Sequence, residues 1–130
     1  MFEPSRNQLN AVANVLVELQ DCKCFYCNKP MRKGNYAVDH FIPWSMYPSD
    51  TGHNFVLADS SCNSKKSNLL ASDEFLHKWQ ERNEEQDLII VDRISVLGFL
   101  TDKERSHKVA EWAYRQANEN YYVKSNVINS

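Results

Sequence analysis

The side chains able to do chemistry crowd between residues 22 and 70. All four cysteines lie there, at 22, 24, 27 and 62. In Cys24-Phe25-Tyr26-Cys27 two thiolates sit on one tight turn, where they can share an ion, and a second pair of ligands must then come from elsewhere in the chain. Cys62 offers one. Asp59, three residues before it, stands where a second C-x-x-C would place its first cysteine. A carboxylate can bind zinc at about 2.0–2.2 Å. Cys24, Cys27, Asp59 and Cys62 are therefore the favoured set for a structural zinc, and Cys22 is the rival fourth ligand. Four free thiols in a small core are the alternative. Such an ion would add its binding free energy directly to folding, which suits a short chain.

Between the two halves of this clip run three blocks. They are Val38-Asp39-His40-Phe41-Ile42-Pro43, then Asn54-Phe55-Val56-Leu57, then Cys62-Asn63-Ser64-Lys65-Lys66-Ser67-Asn68. An Asp-His pair alone is common. In this order, and bracketed by the cysteines, the blocks resemble the HNH endonuclease family, in the branch whose ββα-metal hairpin is framed by zinc-binding cysteines. The same blocks are similar to the HNH domain of RNA-guided CRISPR nucleases. The likeness covers roughly residues 22–70. The stretch Trp79-Gln80-Glu81-Arg82-Asn83 looks like the flanking helices of small bacterial HNH proteins.

The resemblance implies a nuclease that cuts phosphodiesters with one divalent ion. Neutral imidazole, with a pKa near 6.5, suits a general base at neutral pH, so His40 would take the proton of the attacking water. By the family pattern Asp39 and Asn63 hold the catalytic ion. Asn54 orients the loop that carries His40. The third family position, often histidine, is Asn63 here, an H-N-N variant. An amide oxygen is a harder ligand than imidazole, which favours Mg²⁺ or Mn²⁺ over Zn²⁺. Lys66 lies three residues beyond Asn63, one helical turn on, and is a candidate for gripping the phosphate. Lys65, Arg32 and Lys33 join Lys66 as candidate nucleic-acid contacts. Neighbouring strand residues point to opposite faces, so the chain is expected to turn at His40. His53 reads as a loop residue or a phosphate contact. Trp44 and Tyr47 could stack on a base or close the loop.

These groups need elements to position them. Ser5 and Gln8 spell a capping box for a helix over 5–20, with apolar residues at helical spacing. Tyr36–Asp39 and Phe55–Leu57 are short strands separated by a loop. A helix is expected from Ser60 or Ser61 through Leu69 and Leu70. Helical scaffold follows over roughly 72–83, then from Leu88 to a stop at Gly98, then from a capping box at Thr101 and Glu104. Trp79 and Trp112 sit at core spacing, His77 and His107 on helix surfaces. The tail after Val123 is expected to fray. The fold class is α+β: a ββα-metal (His-Me finger) core with a short antiparallel hairpin, a zinc clip and about four flanking helices, in one domain spanning 1–130.

The bulk composition fits one small domain: 130 residues, 42% hydrophobic. No run approaches the length of a membrane span, and the first residues carry no secretory pattern. A cytoplasmic protein is expected, in which C-x-x-C means metal or redox chemistry rather than a disulfide. The formal net charge of −2 argues against tight unaided binding to DNA, which usually needs a basic balance. Lys23, Lys29, Arg32, Lys33, Lys65 and Lys66 would have to form a local basic face. A partner protein or a larger parent complex would help deliver the substrate. The family's place in restriction and anti-phage systems suggests antiviral defence. Two other functions remain open: a zinc-stabilised nucleic-acid or protein-binding module with an idle site, and an RNase.

Overall fold

A computed structural model describes residues 4–117 and 122–123. Helix α1 spans Arg6–Leu19. Its capping box is complete: the Ser5 hydroxyl accepts from the Gln8 N–H, and the Gln8 side chain accepts from the Ser5 N–H. The face with Val12, Ala13, Val15 and Leu16 is buried. A cysteine-bearing knuckle follows. Asp21 and Cys22 both take φ of 54° and Asn28 takes 62°, left-handed conformations that fold this short segment back on itself.

Strand β1 (Tyr36–His40) and strand β2 (Phe55–Asp59) form an antiparallel hairpin, in register from Tyr36↔Asp59 to His40↔Phe55. The free edge of β2 is completed locally. The Leu57 carbonyl accepts from the Phe25 N–H and the Gln20 side chain, and the Leu57 N–H donates to Gln20. Helix α2 (Ser60–Lys66) leaves β2 directly, capped by the Asp59 carboxylate on the Cys62 N–H. It is shorter than its sequence pattern suggests. Ser67 turns to φ 51°, so Leu69 lies outside the helix and Leu70 begins strand β3 (Leu70–Ala71), which pairs in parallel with strand β4 (Tyr122–Val123).

The scaffold is α3 (Asp73–Glu85), α4 (Asp87–Ser95) and α5 (Lys103–Gln116). With α1 they are the four flanking helices around the hairpin and α2. The α5 cap is Asp102, whose carboxylate accepts from the Arg105 N–H, and not the Thr101–Glu104 box; aspartate caps better than threonine, and the helix starts one residue later. The helix after Leu88 also ends at Ser95, before Gly98. Trp79 is fully buried, stacked on Phe41 with ring centroids 4.9 Å apart. Trp112, at the same apparent spacing, is 46% exposed; α5 buries its stripe of small residues, Ser106, Ala110 and Ala113, instead. The expected fraying after Val123 concerns residues outside those described. Among the described residues no helix is long and apolar enough to cross a membrane.

Candidate functional site

The hairpin and knuckle bring Cys24, Cys27, Asp59 and Cys62 together, with one donor atom from each within 4.8 Å of all the others. Two come from the knuckle, one from the end of β2 and one from the first turn of α2. The helix start places Asp59 and Cys62 as a pair because the carboxylate that caps the helix also faces the thiols. The Cys27 thiol donates to Asp59 Oδ2 at 3.2 Å, and the Asp59 N–H donates to Cys24 Sγ at 3.4 Å. Cys22 lies outside this group, with its thiol on the Met31 carbonyl at 3.4 Å.

Burial, then the neighbouring sulfurs and carboxylate, push the Cys62 thiol well above its ordinary value, and burial raises Cys27 too. Burial also pushes on Asp59, but the hydrogen bonds from Cys62, Cys27 and Cys24 outweigh it and hold the carboxyl below the usual range. Crowded soft donors of this kind repel one another once ionised unless a cation sits among them. The cluster could therefore hold a metal ion, and four donors at this spacing match a tetrahedral site.

Farther along β1, Asp39 is buried and Oδ2 accepts from the Tyr26 hydroxyl at 2.6 Å. The Lys66 ammonium lies 3.3 Å from the same oxygen and donates to the His40 carbonyl at 3.0 Å. Lys66 is fully buried, which corrects its expected place on a surface facing phosphate. Its long side chain runs back from α2 under the hairpin, where burial lowers its pKa against the pull of Asp39. Tyr26, held above its ordinary value by burial and then by the carboxylate, stays a hydrogen-bond donor. Asn63 sits one helical turn before Lys66 in α2 and is partly buried.

His40 ends β1 rather than turning out of it. The break comes at Phe41 and Ile42, where Asn54 clamps the chain from both sides: its Oδ1 accepts from the Ile42 N–H at 2.8 Å and its Nδ2 donates to the Ile42 carbonyl at 2.9 Å. The imidazole of His40 packs against Phe55 (5.5 Å) and edge-on against Trp44 (5.6 Å). Its Nε2 lies 2.8 Å from Asp50 Oδ1, and the side chain remains 29% exposed. Alternation along the strand thus gives Asp39 and His40 separate neighbours, joined through Lys66, which touches both.

His53 is no phosphate contact. It is fully buried, with Nε2 on Asp87 at 2.7 Å. Its carbonyl accepts from Trp79 and Arg82, and Arg82 also holds the Phe55 carbonyl. Helix α3 therefore grips the chain where it enters β2. His107 is also drawn in from the expected surface, facing Asn83 at 3.2 Å and the Trp79 ring. Tyr47 is buried beside Ser106, whereas Trp44 is 43% exposed. Lys23, Lys29, Arg32, Lys33 and Lys65 are exposed. Sequence reasoning missed Tyr26 and Asp50. Tyr26 reads as a spacer inside C-x-x-C, and Asp50 as one polar residue of a loop; no local pattern marks either.

Residues 24–72 match the family described as HNH endonuclease. The matched segment contains the knuckle, the hairpin and α2, and the five helices, antiparallel hairpin and cysteine cluster are consistent with the ββα-metal fold of that family. No curated protein matches the chain.

Proposed function

We propose that this chain, whose residues 24–72 belong to the HNH endonuclease family, hydrolyses phosphodiester bonds in DNA with His40 as general base. The observation that carries the reading is the end of the hairpin. There the buried Asp39 carboxylate and the partly exposed His40 imidazole occupy adjacent positions of β1, and Lys66 from α2 reaches both the carboxylate and the His40 backbone carbonyl.

Asp39 and Asn63 would hold one divalent ion. Oδ2 of Asp39 is taken by Tyr26 and Lys66, which leaves Oδ1 as the ligand atom. A carboxylate and an amide oxygen suit Mg²⁺ or Mn²⁺. Bound there, such an ion supplies charge for the phosphate and for the departing alkoxide. The residues of the chain do the rest. His40 takes a proton from water. Asn54 fixes the backbone just beyond the base. Lys66 offsets the Asp39 charge from inside the protein, so its role is electrostatic and it makes no direct contact with phosphate. The thiolate-rich cluster is read as a structural zinc site.

The exposed lysines and arginine named above supply the substrate contacts, against a net charge of −2. Binding through these phosphate contacts should weaken as salt rises, with a slope that grows with their number, and the few of them make for low affinity. Delivery by a partner or a larger assembly follows from that weakness, and restriction or anti-phage defence rests on the family likeness alone.

Supercoiled plasmid, linear duplex, single-stranded DNA and RNA, each incubated with Mg²⁺, test the reading. Plasmid nicking by the wild type and none by His40→Ala is the expected result. Equal cutting by both proteins removes the base, and preference for RNA transfers the reading to an RNase. Stripping the cluster of metal should abolish the far-ultraviolet circular dichroism of the fold, while withholding Mg²⁺ should stop cutting and leave the spectrum intact.

A further inference from the structure

We propose that Asp50 is a positioning residue for this hydrolysis: it fixes His40 as the Nε2–H tautomer and leaves Nδ1 as the atom that accepts the proton. The proposal rests on the reading of His40 as the base.

The Asp50 carboxylate, when ionised, can only accept a hydrogen bond. With Oδ1 2.8 Å from Nε2, that nitrogen must be the donor. The neutral ring then carries its lone pair on Nδ1, which makes no hydrogen bond among the described residues and belongs to a ring 29% exposed. Phe55 and Trp44 close on the ring from two further sides, so its orientation is set by packing and its tautomer by Asp50. When Nδ1 takes a proton, the same carboxylate faces the new positive charge and stabilises it, as a buried aspartate does for other histidine bases.

The loop that delivers Asp50 is itself fastened. Ser49 and Thr51 share a hydroxyl hydrogen bond of 2.8 Å on either side of it. Thr51 bridges to Leu100, and the Gly52 N–H donates to the Leu100 carbonyl at 2.7 Å. A Cβ on Gly52 would lie 3.0 Å from methyl groups of both Ile94 and Thr101. A side chain here would have to push those methyl groups aside by a few tenths of an ångström, so the loop lies close against α4 and the chain that follows it. Asp50 thus reaches His40 from a segment anchored on both flanks.

The test combines a ring-nitrogen spectrum with turnover. In ¹⁵N-labelled wild type, at a pH where imidazole is neutral, His40 should show its proton on Nε2 and a bare Nδ1. Asp50→Ala should give a mixture of tautomers. Its kcat on plasmid should fall on the order of 10²-fold with KM unchanged. Asp50→Asn separates this role from a merely structural hydrogen bond. An amide keeps a hydrogen bond to the ring yet can donate to it, so it should fail to restore kcat, whereas Asp50→Glu should restore part of it. A wild-type proton on Nδ1, or full activity in Asp50→Asn, would overturn the proposal. If wild type shows the Nε2–H tautomer but cuts nothing, the nuclease reading falls while the tautomer assignment stands.

Discussion

Two histidine–aspartate pairs stand a short stretch apart and share nearly the same geometry. His40 meets Asp50 at 2.8 Å and His53 meets Asp87 at 2.7 Å. Both use Nε2, so both leave Nδ1 bare. What differs is the surroundings. The His40 side chain is 29% exposed and Asp50 is held by a loop. His53 is completely buried, and its Nδ1 is sealed from solvent without a hydrogen-bond partner among the described residues. The pairing therefore does not identify a base. Access does: a nitrogen that no water can reach takes no proton from one. The His53 pair instead helps anchor α4 to the chain entering β2, next to the grip of Trp79 and Arg82 on its carbonyl.

The sharpest way to break this contrast is to delete each ring in turn and measure turnover. His40→Ala should lose about 10²–10⁴-fold in kcat, the usual worth of a positioned general base. Per folded molecule, His53→Ala should stay close to wild type. If the two variants lose activity equally at matched folded fraction, the assignment by access is wrong.

Stability should show the reverse order. Removing the fully buried His53 ring leaves a void and strips Asp87 of its partner, at a cost of about 2–4 kcal/mol. His40→Ala, which loses partial packing against Phe55 and Trp44 and one hydrogen bond, should cost less, about 0.5–1.5 kcal/mol. Urea melts of both variants and the parent decide it. A more stable His53→Ala would mean the pair is retained at the expense of stability.

How far the sequence showed this depends on the kind of signal each residue carries. Capping at Ser5 and Gln8, strands at Tyr36 and Phe55, and the spacing of the cysteines to Asp59 are local patterns, and the structure realises each within a residue or two. Lys66, His53 and Trp112 went astray because their burial is decided by what packs from elsewhere. A lysine on a short polar helix reads as a surface charge until the buried carboxylate of Asp39, in strand β1, draws it inward. A histidine in a polar loop reads as exposed until α3 closes over its carbonyl. Trp112 follows helical spacing, but α5 docks through alanines and leaves the indole outside. Asp50 and Tyr26 carry no pattern at all, since their meaning lies in one oxygen at the right place in space.

The smallest effect concerns acid. Burial lowers the pKa of His53 despite the opposing pull of Asp87, and burial lowers His107 similarly against that of Glu84. Both rings are thus held neutral in the folded protein at pH values where the unfolded chain, with an ordinary value near 6.5, already binds a proton. Between the two values the unfolded state carries more protons, so stability falls as pH falls. The contribution is complete above pH 6.5 and drains away below it. His53→Gln removes one of the two titrations, so its stability should decline less steeply than wild type below pH 6.5, with the remaining slope due in part to His107. Parallel curves for the two proteins from pH 7.5 downward would show that His53 charges as readily folded as unfolded, and the distinction between an open and a sealed imidazole would then lose its electrostatic half.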